Sequence, residues 1–218
     1  MHTTLRCLVA LTAMPLVAGR SLAAQADSGL FVIRHGSDTV ATEQFSRTAT
    51  TLNGTLALRN TRSTAQSYEV LVAPDASVAA IEVTVRERSD TAQPKPRVVQ
   101  RARIIFKEDS VSVDDISNHG LQTRLFGTER GAVPYLNLSF ALLEQAVRHP
   151  HTGTAPYRVP LFNLGGGQTV EGRVTSLGGD SLSLAIGQVE FHLRVDPAGR
   201  VLGGSIPAQQ VVVERVGR

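Results

Sequence analysis

The 218-residue chain is 42% hydrophobic and 19% charged, a balance that supports a packed core and excludes global disorder. Trp is absent and aromatic residues are only 5%, so aliphatic and Ala side chains must fill most of that core. The formal charge is only +3 and there is one cysteine, Cys7, which excludes a disulfide framework and a Cys metal site.

The first segment reads as an export leader. "MHTTLR" is a short basic start, "CLVALTAMPLVAG" an apolar run too short to span a bilayer comfortably, and "RSLAAQA" a small-residue cleavage region. Cleavage is expected after Ala24 or Ala26, which makes residues 1–26 a signal peptide and removes Cys7. Loss of Arg6 and Arg20 takes Lys plus Arg from 22 to 20 against 19 acidic residues. The remaining excess of about one charge offers no general attraction to nucleic acid or to an anionic membrane. No later stretch is long enough for a transmembrane anchor, so a periplasmic or secreted location is expected.

Beyond Ala26 the dominant period is two, the alternation of strands. Phe31 and Ile33 share a face, Gly36-Ser37-Asp38 is turn chemistry, and a second strand runs through Phe45. "TLNGTLALRN" puts Leu52, Leu56 and Leu58 on one side, and "SYEVLVA" groups Tyr68, Val70 and Val72. In "SVAAIEVTVRER", Ile81, Val83 and Val85 point inward, while Glu82, Arg86 and Arg88 point outward. A polar loop with Pro94 and Pro96 precedes "VVQRARIIF", and "SVSVDD" and "LQTRLF" are shorter strands.

The period then changes once. "PYLNLSFALLEQAVRHP" spaces Leu136, Phe140, Leu143 and Val147 along one helical stripe. The spacing predicts a well-buried helix of about three turns near 136–149, started by Asn137 or Ser139 and stopped by Pro150. After "HPHTGTAP" about six more strands alternate with turns at Gly165-Gly166-Gly167, Gly178-Gly179-Asp180 and Asp196-Pro197-Ala198-Gly199. The fold expected for residues 27–218 is a single, mainly β domain. One curved antiparallel sheet, a half-barrel of many strands, wraps around one buried helix. Two β modules joined near residue 150 are the alternative.

Several motifs resemble catalytic ones. Arg34-His35-Gly36 resembles the opening of a histidine phosphatase, and Asn118-His119-Gly120 mimics its second histidine. That enzyme needs a helix after the first motif and several helices in all, so a hairpin turn is the expected reading. His149-Pro150-His151, with Glu190 and His192 nearby in pattern, lacks a placeable third metal ligand. Glu108, Asp109, Asp114 and Asp115 have no calcium-loop spacing and suit an exposed turn. The triple glycine precedes a strand, not the helix a phosphate cradle requires. Ser205 is a lone hydroxyl, and Arg86, Arg88, Arg97, Arg101 and Arg103 suit a solvated sheet face interleaved with Glu82 and Glu87. No catalytic residue, metal or cofactor is assigned.

The opening Gly29-x-Phe31-x-Ile33, Gly36, Val40, Glu43-x-Phe45 and the ending "RVDPAGRVLGGSIP" resemble a group of secreted bacterial β-rich proteins. These are related in outline to the periplasmic lipoprotein-carrier fold, and they occur as N-terminal β domains of exported hydrolases. The match departs at Ala41, where Gly is expected. The resemblance implies a half-barrel around a helix and an apolar ligand in its hollow. The expected function is a non-catalytic binding module of the cell envelope, holding a lipid, an acyl chain or a hydrophobic segment of a partner protein. The large rings available to line the site are Phe31, Phe45, Tyr68, Phe106, Phe140 and Tyr157. A hydrolase and a structural or adaptor domain without a small ligand are the alternatives.

Overall fold

A computed structural model of the chain describes residues 26–59, 64–87, 96–117, 120–148 and 156–217. The predicted leader before Ala26 lies outside the described residues, as do Arg88, His119 and 149–151.

The alternating pattern folds as strands throughout. Before the helix run β1 (Asp27–His35), β2 (Asp38–Arg47), β3 (Thr51–Leu58), β4 (Thr64–Val72), β5 (Val78–Glu87), β6 (Arg97–Phe106), β7 (Ser110–Ser117), β8 (Gly120–Gly127) and the short β9 (Val133–Tyr135). After it come β10 (Tyr157–Asn163), β11 (Gln168–Gly178), β12 (Ser181–Ile186), β13 (Val189–Val195), β14 (Val201–Ile206) and β15 (Val211–Val216). A single 3-10 turn, Pro207–Gln209, separates the last two.

All fifteen strands belong to one sheet, in the order β8 to β1, then β15 to β9. Every pairing is antiparallel except that of β9 with β10. The sheet is strongly curved and unclosed, and the one α-helix among the described residues, α1 (Phe140–Arg148), lies on its concave face. Its two ends approach each other without pairing: Phe106 and Phe126 pack on the ring of Phe162, and the Thr128 and Thr169 hydroxyls meet at 2.7 Å.

The first hairpin shows how the register is set. Phe31 and Ile33 are fully buried, and β2 turns Ala41, Glu43, Phe45 and Arg47 to the same face. Ile33 opposes Ala41 but Arg34 opposes Thr39, so Val40 is the extra residue of a bulge that adds local twist. Ala41 itself is sealed in the core. Arg34-His35-Gly36 ends this strand as a hairpin: Gly36 takes φ 58°, a region costly for residues with a Cβ, and Arg34 pairs with Glu214 at 2.6 Å across the seam with β15.

The helix is shorter than its hydrophobic stripe. The periodicity places its start at Leu136, but α1 begins at Phe140 and has nine residues. Leu138 sits at φ 64°, a left-handed conformation that cannot continue a right-handed helix, so Leu136 packs against the core from the preceding turn. All eight strands expected before the helix keep their sequence order as simple neighbours, and β9 is an additional short strand where the sequence suggests only a run into the helix.

Candidate functional site

Eight of the nine α1 residues are buried, from Phe140 to Val147. The stripe of Phe140, Leu143 and Val147 explains only part of that, because Glu144 and Gln145 face protein too. Their partners are polar side chains projected inward by strands of the concave face.

At the helix N-terminus four backbone N–H groups lack intrahelical acceptors. Ser139 precedes the helix, and its Oγ accepts the N–H of Leu142 at 3.4 Å. The first turn contains no acidic residue. The negative charge that suits the helix dipole comes from β2: Glu43 Oε2 accepts the N–H groups of Phe140 at 2.7 Å and Ala141 at 3.0 Å. Glu43 Oε1 accepts the Tyr68 hydroxyl at 2.6 Å and the Ser139 hydroxyl. Glu43 is fully buried. Burial raises its pKa above the usual carboxylate value, and the hydrogen bonds from Ser139, Tyr68, Ala141 and Phe140 oppose the rise. Burial beside this acid also pushes the Tyr68 hydroxyl well up.

Tyr68 reaches Glu43 by crossing β3 at Gly54, which stands opposite both Phe45 and Tyr68 in the sheet. A Cβ at Gly54 would lie 2.1 Å from Cζ of Tyr68, so only glycine admits the ring there.

A second polar layer holds the middle of the helix. Arg47 Nη2 donates to the Ala141 carbonyl at 3.0 Å and Nη1 to Gln145 Oε1, while its Nε lies 3.3 Å from Glu144. Glu144 is fully buried, accepts the Val201 N–H at 2.8 Å and also faces Arg148 at 3.3 Å and Arg215 at 3.6 Å. Arg215 ion-pairs with Asp27 at the start of β1 and stacks 4.9 Å over the Phe45 ring. Gln145 Nε2 closes the set on the Ala76 carbonyl at 3.0 Å.

The six rings singled out in the sequence fall into separate places. Phe31, Phe45 and Phe140 form one buried cluster, with centroids 5.3 Å apart for Phe31–Phe45 and 5.9 Å for Phe31–Phe140. Tyr68 is held by Glu43, and half-buried Tyr157 donates its hydroxyl to the Val147 carbonyl at 3.1 Å, capping the other end of α1. These rings lie where the helix fills the hollow. Phe106 lies apart, at the rim. It lines a cleft of about 620 Å³ with Val78, Ala79 and Ala132, and Lys107, Glu108 and Arg130 stand at its mouth.

The motifs that resemble catalytic ones remain scattered. Among the described residues no group of three or more His, Cys, Asp or Glu side chains could hold a metal ion. Glu190 accepts the Ser183 hydroxyl at 2.5 Å and contacts His192 at 3.3 Å. Ser205 stands opposite His192 on the next strand. The Ser183 hydrogen bond keeps the Glu190 carboxyl below its ordinary pKa. Asp114 accepts the Thr123 hydroxyl at 2.7 Å, and Asp115 faces Gln100 and Arg124.

Sequence reasoning quoted Glu43 only as part of a resembling pattern, with no role, and passed over Arg47, Glu144 and Arg215. The available signal was parity: Glu43 and Arg47 alternate in step with Ala41 and Phe45, and a charge on an inward face needs a buried partner.

The geometry defines a class: an antiparallel half-barrel whose hollow is occupied by its own helix, held there by buried ionic and hydrogen-bonded side chains. Two solved structures share this fold. One is a β-barrel-like protein of the DUF1849 family from Brucella abortus, with TM-score 0.55 and 11% identity over 88% of this chain and 96% of that one. The other is a DUF1089 family protein from Pseudomonas aeruginosa, with TM-score 0.51 and 12% identity over 76% of this chain and 89% of that one. No protein-family model matches the chain, and no curated protein matches it in sequence.

Proposed function

We propose that the chain is an exported, non-catalytic binding module of the bacterial cell envelope, and that it holds an apolar chain in the rim cleft beside Phe106. The cleft carries this reading. Its volume of about 620 Å³ falls within the range of small-molecule sites, and its floor of Phe106, Val78, Ala79 and Ala132 is apolar. Arg130 at the mouth faces Glu108 at 3.5 Å and Asp75 also lines the cleft, which leaves Lys107 as the cation for an anionic head group, so an amphiphile such as a fatty acid matches both parts. Burial of an acyl chain supplies the driving force, at roughly 25 cal/mol per Å² before the costs of association.

Export is supported by the leader pattern itself, a basic start, an apolar run and small residues. The expected cleavage after Ala26 falls at the first residue of β1, Asp27, whose carboxylate is already committed to Arg215.

The test is a titration with dansyl-undecanoic acid, displaced by palmitate. Saturable binding, lost tenfold or more in Phe106→Asp and weakened in Lys107→Glu, is expected. A flat titration, or binding indifferent to both substitutions, rejects the cleft as the site. N-terminal sequencing of chain recovered from the periplasm should begin at Gln25 or Asp27; retention of Met1 rejects cleavage.

A further inference from the structure

The two edges of the sheet are protected unequally. The β9 edge is three residues long, largely buried, and carries Pro134, features that discourage further pairing. The β8 edge has eight residues, no proline, and only one charge, Arg124. Leu121 and Leu125 on it are 65% and 69% exposed, the most exposed large hydrophobic residues described.

The direction of the unpaired backbone groups follows from the ladder. Strands β7 and β8 pair with Ser110 opposite Gly127 and Ser117 opposite Gly120, and the same register carries the Thr128 N–H to the Asp109 carbonyl at 2.9 Å. Hydrogen-bonded pairs recur at every second residue. Even-numbered residues of β8 therefore bond to β7, and Leu121, Thr123 and Leu125 aim their N–H and C=O groups at the open edge. Ile116, half exposed, stands opposite Leu121 and extends the apolar patch on the outer face.

We propose that this edge pairs with β8 of a second copy, antiparallel, about a two-fold axis at Thr123. The strand is self-complementary about that residue. Leu121 meets the partner's Leu125 and Leu125 the partner's Leu121, which gives a quartet of leucines on the outer face. Gln122 meets the partner's Arg124, so the strand's one cation opposes an amide instead of its own copy. Gly120 meets the partner's Phe126, leaving space for the ring. The pairing joins two fifteen-stranded sheets into one and removes both exposed edges at once, as a closed two-fold interface requires.

Light scattering coupled to size exclusion should give twice the monomer mass. Thr123→Pro deletes an N–H that faces the edge and no bond to β7, so it should give a folded monomer. In a Cys7→Ser background, Thr123→Cys should crosslink to dimer under mild oxidation, because a residue on the axis lies about 5.5 Å in Cα separation from its own copy. Leu121→Cys or Leu125→Cys alone should not. If Thr123→Pro unfolds, register is read from charge variants: Leu121→Lys with Leu125→Lys, and Leu121→Glu with Leu125→Glu, should each be monomeric and should dimerise when mixed. A wild-type chain that stays monomeric up to its solubility limit overturns the proposal. So does a dimer indifferent to these changes or crosslinking through other positions.

Discussion

The carboxylate of Glu43 accepts the backbone N–H of Phe140 at 2.7 Å, so a strand residue caps a helix that begins 97 residues later in the chain. The same carboxylate takes three further donors, from Ala141, Tyr68 and Ser139. Glu43→Gln presents one acceptor oxygen and an NH2 group where two oxygens stood, which strands buried donors at about 1–3 kcal/mol each. Urea unfolding should show a loss of that order, and Glu43→Ala should lose more. A change within ~0.5 kcal/mol, the size usual for surface substitutions, would remove the cap from the account of the fold.

Protonation at this site gives stability a sign. The folded pKa of Glu43 is raised, so between the ordinary carboxylate value near 4.5 and the raised one the folded chain holds a proton that the unfolded chain has released. Stability from this group is fully present below the unfolded pKa and is lost as pH rises through the folded value. The difference in unfolding free energy between wild type and Glu43→Gln should therefore shrink as pH rises across that window. A difference that grows with pH would show a carboxylate held ionised by its donors.

Gly54 and Tyr68 should behave as a coupled pair. Gly54→Ala puts a methyl 2.1 Å from the ring carbon bearing the Tyr68 hydroxyl. The ring must move, and its hydrogen bond to Glu43 goes with it. A loss of about 1–3 kcal/mol is expected from overpacking. Combined with Tyr68→Ala the two changes should fall short of additive; strict additivity in the double-mutant cycle would separate them.

Glu144 neutralises more than one buried cation. Glu144→Ala leaves Arg47 and Arg215 inside the protein without their shared counter-ion, and removal of one buried partner costs about 3–5 kcal/mol. Calorimetry should find this the most damaging single change in α1 outside Phe140. The Arg47→Met, Glu144→Leu combination should recover part of the loss.

His35→Ala should be silent. The residue is exposed at a hairpin end, so the thermal midpoint should hold and stability should stay within about 0.5 kcal/mol. Gly36→Ala beside it should cost about 1 kcal/mol, because φ there is 58°.

The strands were legible because alternation and turn residues agree: Ile81 and Val83 inward with Glu82 outward is a half-buried strand on any reading, and β5 is one. The helix was legible from Phe140, Leu143 and Val147, and its start only as a choice between Asn137 and Ser139, of which Ser139 is the cap. Leu136 continues the stripe, and nothing local announces that Leu138 takes a left-handed turn. Among the rings, Phe31, Phe45 and Phe140 are buried together, and one-dimensional pattern cannot tell a lining residue from one the helix covers. Phe106 looks like the others in sequence and lies at a cleft. The polar layer was the least visible part, since Glu43 finds its partners on β4 and α1, far away in the chain.

The seam between β1 and β15 joins the start of the described chain to its end in the middle of the sheet. Strands β1–β8 are consecutive neighbours and so are β10–β15, so each ribbon can zip from its own hairpins soon after synthesis. The two ribbons can merge only when the last strand arrives. Loop closure across nearly the whole polypeptide then falls at the final step of assembly, and a chain clipped before Val211 presents β1 as a naked flank to whatever strand it meets first.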